Sequence, residues 1–368
     1  MERVAAVIVV AQPDTKSSLP KTYLALSTFI VNRSALLSRL ALWKTHLPMI
    51  QPYYAVKCNP LGPIVETFRK EGIGFDCASK GEIKLISPSD IIYANPCKTR
   101  QDIRFAAEQN IDKMTFDSVS ELEKIYDEHP NPKPILRIHV DDKGSSRIPL
   151  NTKFGFHFNE IGDLVRFNKP VYGLAFHVGS DCQSPRAFIS AFQTVRQFMT
   201  CLQKRKFFRP EILDIGGGFS NPATFTNELA PEIRKQLIPL EGQFDRVVAE
   251  PGRFLVEPAC TVKTPIIGKK ILADGRVALT VDESIYGVFS GILMDGFKPV
   301  FESNHRMIQC TFTVLGRTCD STDVLAKDIR LPCAVKEGDI LTVKNIGAYS
   351  WATASNFNGF EHPTVIVE

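Results

Sequence analysis

Lys57 ends a short apolar run, Tyr53-Tyr54-Ala55-Val56, and a lysine at the mouth of such a strand is unusual unless it is paired or reactive. Its amine can form an imine with an aldehyde cofactor if burial or nearby cations raise the neutral fraction. It can equally be a surface lysine whose stem covers apolar neighbours. Gly216-Gly217-Gly218 directly follows Leu213-Asp214-Ile215, a form in which consecutive backbone N–H groups approach a phosphate, or in which the chain simply turns tightly. It lacks the Lys-Ser/Thr of a nucleotide P-loop and the spaced glycines of a dinucleotide fingerprint. A later apolar run ends in Glu250-Pro251-Gly252-Arg253, and the donor fork of Arg253 suits bidentate binding of phosphate. Lysine, glycine turn and Glu-Pro-Gly-Arg loop together shift the balance towards pyridoxal phosphate as a ligand.

These groups need a scaffold that brings distant strand ends together. Eight short apolar, β-branched runs recur: Tyr53 to Val56, Ile73 to Cys77, Ile91 to Ala94, Lys113 to Phe116, Ile135 to Val140, Val171 to Val178, Ile212 to Ile215 and Val247 to Ala249. Between them lie helix-spaced apolar residues such as Ile64, Val65, Phe68 and Ala187, Phe188, Ala191, Phe192, Val195. The pattern predicts an α/β fold, a (β/α)8 barrel, with an open doubly wound sheet as the alternative. A barrel builds its site from the C-terminal ends of its strands. Here those ends carry Lys57, Asp76, Asn95, Asp117, Arg137, His177, Gly216 to Gly218 and Glu250. Asn95 and Asp117 are as readily explained as turn residues. After about residue 255 the texture becomes period-two: Lys269 to Leu279 around an Asp274-Gly275 hairpin turn, Met307 to Leu315, and Asp339 to Val343. The expected organisation is a barrel over 35–260 and a second, mostly β C-terminal domain over 261–368, completed by 1–34 through the β-rich Thr22 to Val31.

The 368 residues are 44% hydrophobic and 23% charged, which excludes a disordered or fibrous chain. Forty-four Lys plus Arg against forty Asp plus Glu leave a net charge of +4 without a basic block on an aromatic platform, so no nucleic-acid partner is expected. Met1 to Ala11 only weakly imitates a signal peptide, and no segment reaches the roughly 18 to 20 apolar residues of a membrane span. The nine cysteines are scattered, without a paired framework or Cys-x-x-Cys arrangement, so a reduced, cytoplasmic compartment and no metal are expected.

Several motifs carry a broader likeness. Tyr54-Ala55-Val56-Lys57-Cys58-Asn59, Phe75-Asp76-Cys77-Ala78-Ser79-Lys80-Gly81-Glu82, His177-Val178-Gly179-Ser180, Leu213 to Phe219 and Glu250-Pro251-Gly252-Arg253 are followed by Cys319-Asp320, Gly347-Ala348-Tyr349 and Phe357-Asn358-Gly359-Phe360. In order, these resemble the eukaryotic-type ornithine decarboxylase family, pyridoxal-phosphate-dependent basic amino acid decarboxylases with an alanine-racemase-like barrel. The resemblance implies a head-to-tail homodimer with shared active sites. It would have Lys57 hold the cofactor as an imine, Glu250 pair with the pyridine nitrogen and His177 stack on the ring. Ser180, Gly216, Gly217, Gly218, Arg253 and Tyr349 would secure the phosphate, with Asp76, Glu82 and Arg137 close by. Cys319 from the other subunit would protonate the α-carbon, and Asp295 and Asp320 would receive a distal ammonium. Lys153 and Asp323 would form a cross-subunit ion pair.

The activity so implied is decarboxylation of a basic L-amino acid, first L-ornithine to putrescine, with L-lysine and then L-arginine as alternatives because one methylene alters selection by only about 10 to 200-fold. An amino-acid racemase and a noncatalytic regulator acting on a protein partner are the alternatives. Three places in the chain depart from the family pattern. Met294 stands where an aromatic is usual, Ser321-Thr322 interrupts a glycine-containing sequence, and Asp181 replaces a typical glycine. The Asp181 carboxylate is open to contact with substrate, with Arg186 or with solvent. Asp141 to Pro149 reads as a surface loop, or, by resemblance, as a mobile loop that closes over the site.

Overall fold

The computed structural model describes residues 8–10, 26–219, 221–305 and 308–368. Eight parallel strands close into a barrel: β1 (Ile50–Ala55), β2 (Gly74–Cys77), β3 (Ile91–Tyr93), β4 (Lys113–Phe116), β5 (Lys133–Arg137), β6 (Val171–Ala175), β7 (Phe208–Asp214) and β8 (Arg246–Ala249). Each strand pairs with the next in sequence, and β8 returns to β1 with Val247 beside Ile50 and Ala249 beside Pro52. Closure excludes the open sheet. Tyr53, Ile92, Ile135, Ala175, Ile212 and Val248 fill the interior as one buried cluster, so the barrel is a packed core rather than a pore.

The turns after the strands are written locally. Ser79, Thr99 and Ser118 each cap a helix by accepting the backbone N–H of Glu82, Asp102 and Glu121, a Ser/Thr-x-x-acid pattern repeated at three strand-to-helix turns. Helix Arg186–Leu202 buries Ala187, Phe188, Ala191, Phe192 and Val195 along one face, as their spacing predicts. Under the site, Trp43 meets Phe219 edge-on at 4.7 Å and Phe254 at 6.1 Å, and stacks on Phe225 at 5.6 Å. Phe219 and Phe254 directly follow Gly218 and Arg253. The aromatic cluster therefore anchors both candidate ligand loops, each ring pair contributing about 0.5–1.5 kcal/mol beyond its buried area.

The chain divides into two compact units, one of 39–57 with 65–255, the other of 1–38, 58–64 and 256–368. Segment 58–64 groups with the second unit because the Asn59 amide donates to the Gly347 carbonyl (2.8 Å) and the Tyr349 N–H to the Cys58 carbonyl (2.9 Å). That unit is mostly β. Its long strand Cys260–Ile271 pairs antiparallel with Val277–Val281, Ile340–Lys344 and Thr28–Val31. The hairpin at Asp274-Gly275 forms as its sequence predicts, with Gly275 at φ +85° and Leu272 N–H bonded to the Arg276 carbonyl (2.8 Å). Thr28–Val31 also pairs in parallel with Thr364–Val367, so the N-terminal segment completes the sheet; Thr22 to Ala25 and Met307 of the expected strands lie outside the described residues.

The scattered cysteines, read as lacking a paired framework, include one bonded pair: Cys310 and Cys333 are disulfide-bonded. They lie where the antiparallel strands Gln309–Leu315 and Val324–Pro332 begin and end, a proximity that only the pairing register creates. The other seven cysteines are free thiols. No helix among the described residues is long and apolar enough to cross a membrane.

Candidate active site

Lys57 lies in a single turn of 3-10 helix, Val56–Cys58, that follows β1. Its ammonium is ion-paired with Asp76, the wholly buried penultimate residue of β2. The second oxygen of Asp76 is buried without a hydrogen-bond partner among the described residues. Arg137 ends β5 with its guanidinium over the Phe154 ring at 4.5 Å, and Glu250, Asp117, Asp76 and Asp214 partly offset the burial that lowers its pKa. His177 follows β6. Its Nδ1 accepts the Gly179 N–H (3.0 Å), which leaves the proton of a neutral ring on Nε2. Burial, then the cations Arg137 and Lys57, pushes the pKa of His177 well below that of a free histidine. The ring is therefore neutral near pH 7.

Two loops complete this end of the barrel. Gly216 (φ +62°) and Gly218 (φ +108°) take left-handed conformations. A Cβ on Gly217 would lie 2.7 Å from His177 Nε2 and 3.0 Å from the Glu250 carbonyl oxygen. Glu250 N–H donates to the Gly216 carbonyl (2.7 Å), which locks the loops after β7 and β8 together. Arg253 donates from Nε (3.3 Å) and a terminal nitrogen (3.2 Å) to the Ser180 hydroxyl.

The Glu250 carboxyl is pushed well above the usual range by burial, then by Asp214 and Asp76, with Lys57 and Arg137 opposing. Asp214, the last residue of β7, is raised to about 7 by burial, against the Gly216 N–H (2.8 Å) and the neighbouring Glu250 carboxyl. Its second oxygen finds no donor among the described residues. Sequence reasoning passed over Asp214. The available signal was an acid ending an otherwise apolar strand immediately before three glycines.

Other strand-end groups build loops instead. Asn95 donates to the Ala78 carbonyl (3.2 Å) and accepts the Cys97 N–H (3.2 Å), while Asp117 accepts the Gly155 N–H (2.9 Å). Glu82 accepts the Ala78 N–H (2.6 Å) at the start of helix Lys80–Ile86, and burial raises its pKa against the lowering charge of Lys57. Asp181, partly exposed, pairs with Arg147 at 3.4 Å. Its φ of +55° explains why glycine suits the position. Part of Asp141 to Pro149 is ordered as strand Ser146–Ile148, antiparallel to Ser180–Cys182.

In the β-rich unit, exposed Cys319 and half-buried Asp320 share one loop, where the Cys319 N–H donates to Asn358 Oδ1 (3.0 Å). The Thr322 N–H (2.9 Å) and the Tyr286 hydroxyl hold Asp320 below the usual carboxylate range, so Ser321-Thr322 supplies a turn that keeps this carboxylate anionic. Asp295 is buried at the end of the short helix Gly291–Met294, while Met294 itself is exposed. Tyr349 takes a left-handed φ of +50° on the loop bonded to Cys58. Asp323 is engaged within its own unit, accepting the Ile285 N–H (2.9 Å), the Thr318 N–H (3.1 Å) and the Thr318 hydroxyl (2.6 Å). Within its own unit Asp323 is thus a buried loop anchor.

The barrel set fits a phosphorylated, planar, cationic heterocycle with an aldehyde. Glu250 and Asp214 hold protons although Arg137 and Lys57 lie near, which leaves room for a further cation; two left-handed glycines turn the backbone beside the loops of Arg253 and Ser180, and Lys57 offers an amine. Residues 33–257 match the family model described as the pyridoxal-dependent decarboxylase, pyridoxal binding domain. Ornithine decarboxylase of Schizosaccharomyces pombe is 38% identical over 92% of this chain and 82% of its own length. Antizyme inhibitor 2 of Xenopus laevis is 35% identical over 87% of this chain and 76% of its own length. The crystal structure of the Paramecium bursaria Chlorella virus arginine decarboxylase bound to agmatine superposes with a TM-score of 0.87 at 32% identity, covering 93% of this chain and 96% of that one.

Proposed function

The chain belongs to the pyridoxal-dependent decarboxylase family, and from that premise we propose that it converts L-ornithine to putrescine and carbon dioxide in the cytoplasm, as a homodimer with shared sites. Bound pyridoxal phosphate supplies the electron sink that makes loss of carbon dioxide from an α-carbon feasible. Lys57 holds the cofactor covalently, with Asp76 fixing its amine. Glu250, as a carboxylate, would accept a hydrogen bond from the protonated pyridine nitrogen and keep that proton in place, with Asp214 sharing the buried charge behind it. Neutral His177 would lie against the ring without competing for protons and would exclude water from that face. Ser180, the Gly216 to Gly218 backbone, Arg253 and Tyr349 bind the phosphate, while Arg137 balances the carboxyls beneath.

Cys319 of the second subunit returns a proton to the α-carbon. Asp295 and Asp320 receive the distal ammonium of the substrate, which favours a basic amino acid over an apolar one.

The observation that carries this reading is the Lys57–Asp76 pair, proton-holding Glu250 and Arg253–Ser180 at the C-terminal end of one barrel. Incubation of the cofactor-loaded protein with ornithine, lysine and arginine, with each amine and carbon dioxide quantified, is expected to yield mainly putrescine. Lys57→Ala is expected to lose both turnover and the visible absorbance of bound cofactor. Absence of all three amines overturns the reading, and solvent deuterium entering recovered amino acid without carbon dioxide would indicate racemisation. A second reading, a noncatalytic regulator, is favoured by the likeness to the Xenopus antizyme inhibitor 2. Cofactor uptake without turnover, together with a stable heteromeric complex, would select it.

A further inference from the structure

We propose that Asp181 and Arg147 form a latch that clamps the 145–148 segment onto the loop carrying Ser180, and that this latch governs how long bound pyridoxal phosphate is retained. The retention half rests on the function proposed above; the latch itself does not.

The register of the two short strands sets Ser180 opposite Ile148 and Cys182 opposite Ser146, which places Asp181 across from Arg147. Directly opposed side chains share one face of an antiparallel pair, and Arg147 Nε lies 3.4 Å from Asp181 Oδ2. Gln183 Nε2 donates to the other Asp181 oxygen (2.6 Å) and so aims the carboxylate. Alternation along the strand separates the roles, because Ser180 meets Arg253 while its neighbour Asp181 meets Arg147.

The backbone is stitched in the same sense. Gln183 N–H donates to the Ser145 carbonyl (2.8 Å), the Ser146 hydroxyl to the Val178 carbonyl, and Cys182 N–H to the Gly218 carbonyl (2.8 Å). The segments approach so closely that a Cβ on Gly179 would lie 2.6 Å from the Ser146 Cβ and 2.8 Å from the Ile148 carbonyl oxygen. Asp181 joins this assembly at φ +55°, a conformation that favours glycine. A carboxylate there gives up backbone comfort and gains a charge partner on the opposed strand. Segment 145–148 is thereby tied to the loop that holds Ser180, and through Cys182 to the glycine turn.

The test uses the full-length chain, with and without pyridoxal phosphate, as wild type, Asp181→Asn, Arg147→Gln, Arg147→Lys and the Asp181→Asn/Arg147→Gln double variant. Hydrogen exchange of the 145–148 and 180–183 amides is followed in the cofactor-free protein, and cofactor loss by absorbance during dialysis. Each neutralising variant is expected to speed both by about 1.5- to 5-fold, the range for one cross-strand charge pair, with the double variant no faster than either single. Arg147→Lys is expected to restore wild-type rates, and high salt to bring wild type towards the variants because the pair is partly exposed. Unchanged exchange in both single variants, or fully additive effects, would overturn the latch. Faster exchange with unchanged cofactor loss would overturn the retention half alone. A wild type that takes up no cofactor would defeat the functional reading and retention, while exchange still decides the latch.

Discussion

Asp214 offers a direct test of the electrostatics at the barrel mouth. It is fully buried and its pKa rises from 3.8 to about 7, mainly through desolvation, so the folded chain keeps a proton that the unfolded chain has already released. Folded protein then binds more protons than unfolded protein between about pH 4 and pH 7, and stability falls as pH rises through that window. A shift of about three units corresponds to roughly 4 kcal/mol. Asp214→Asn keeps an oxygen for the Gly216 N–H and removes the titration. Its advantage over wild type should therefore grow by up to about 4 kcal/mol from pH 4 to pH 8 in cofactor-free protein, a change shared with Glu250 because the two carboxyls titrate as a pair.

The chain has two tryptophans, and Trp43 is wholly buried in the barrel unit. Urea unfolding followed by its fluorescence in a Trp351→Phe background therefore reports the barrel unit, which separates this effect from Glu283, a buried carboxyl of the β-rich unit also raised to about 7. Loading with pyridoxal phosphate is expected to flatten the wild-type pH dependence, because a bound cation stabilises the ionised carboxyls. Parallel curves for wild type and Asp214→Asn between pH 4 and pH 8 would refute the buried-proton account.

Gly217→Ala places a methyl 2.7 Å from His177 Nε2, an overpacking worth about 1–3 kcal/mol, and should weaken cofactor retention measured by absorbance while leaving the overall fold by circular dichroism intact. Asp323→Ala leaves the N–H groups of Ile285 and Thr318 without their acceptor. A loss of about 1–3 kcal/mol per buried group is expected by urea unfolding, with turnover reduced but the cofactor spectrum kept, since the Cys319 loop and not the barrel is loosened.

Most of the barrel was legible because each strand is a continuous apolar run closed by a turn, and the Ser/Thr-x-x-acid caps mark where helices begin. What escaped depended on register. The Cys310–Cys333 bond requires two strands to be aligned, and Arg147 meets Asp181 only once a segment that reads as polar loop is paired with another. Asp323 was legible as a charged group but not as a buried one. Three donors converge on it from residues 285 and 318, and nothing in its immediate sequence announces them.

The strand ends also explain why position alone is a poor guide to function. Asn95 and Asp117 occupy the same tier as Asp76 and Asp214, yet their polar atoms close local turns. Asp76 and Asp214 each keep an oxygen that is buried and lacks a donor, although burying an unsatisfied carboxylate oxygen is costly. A chain built only to fold would have paired those atoms or replaced them with apolar ones. Their retention beside Glu250, and the cation Lys57 brings to Asp76, makes sense if the missing charge arrives with a ligand. Glu121 and Glu283 also keep a buried oxygen without a hydrogen-bond partner among the described residues, so it is the convergence of Asp76 and Asp214 with Lys57 and Glu250 at one end of the barrel, and not the unmet oxygen alone, that marks the site.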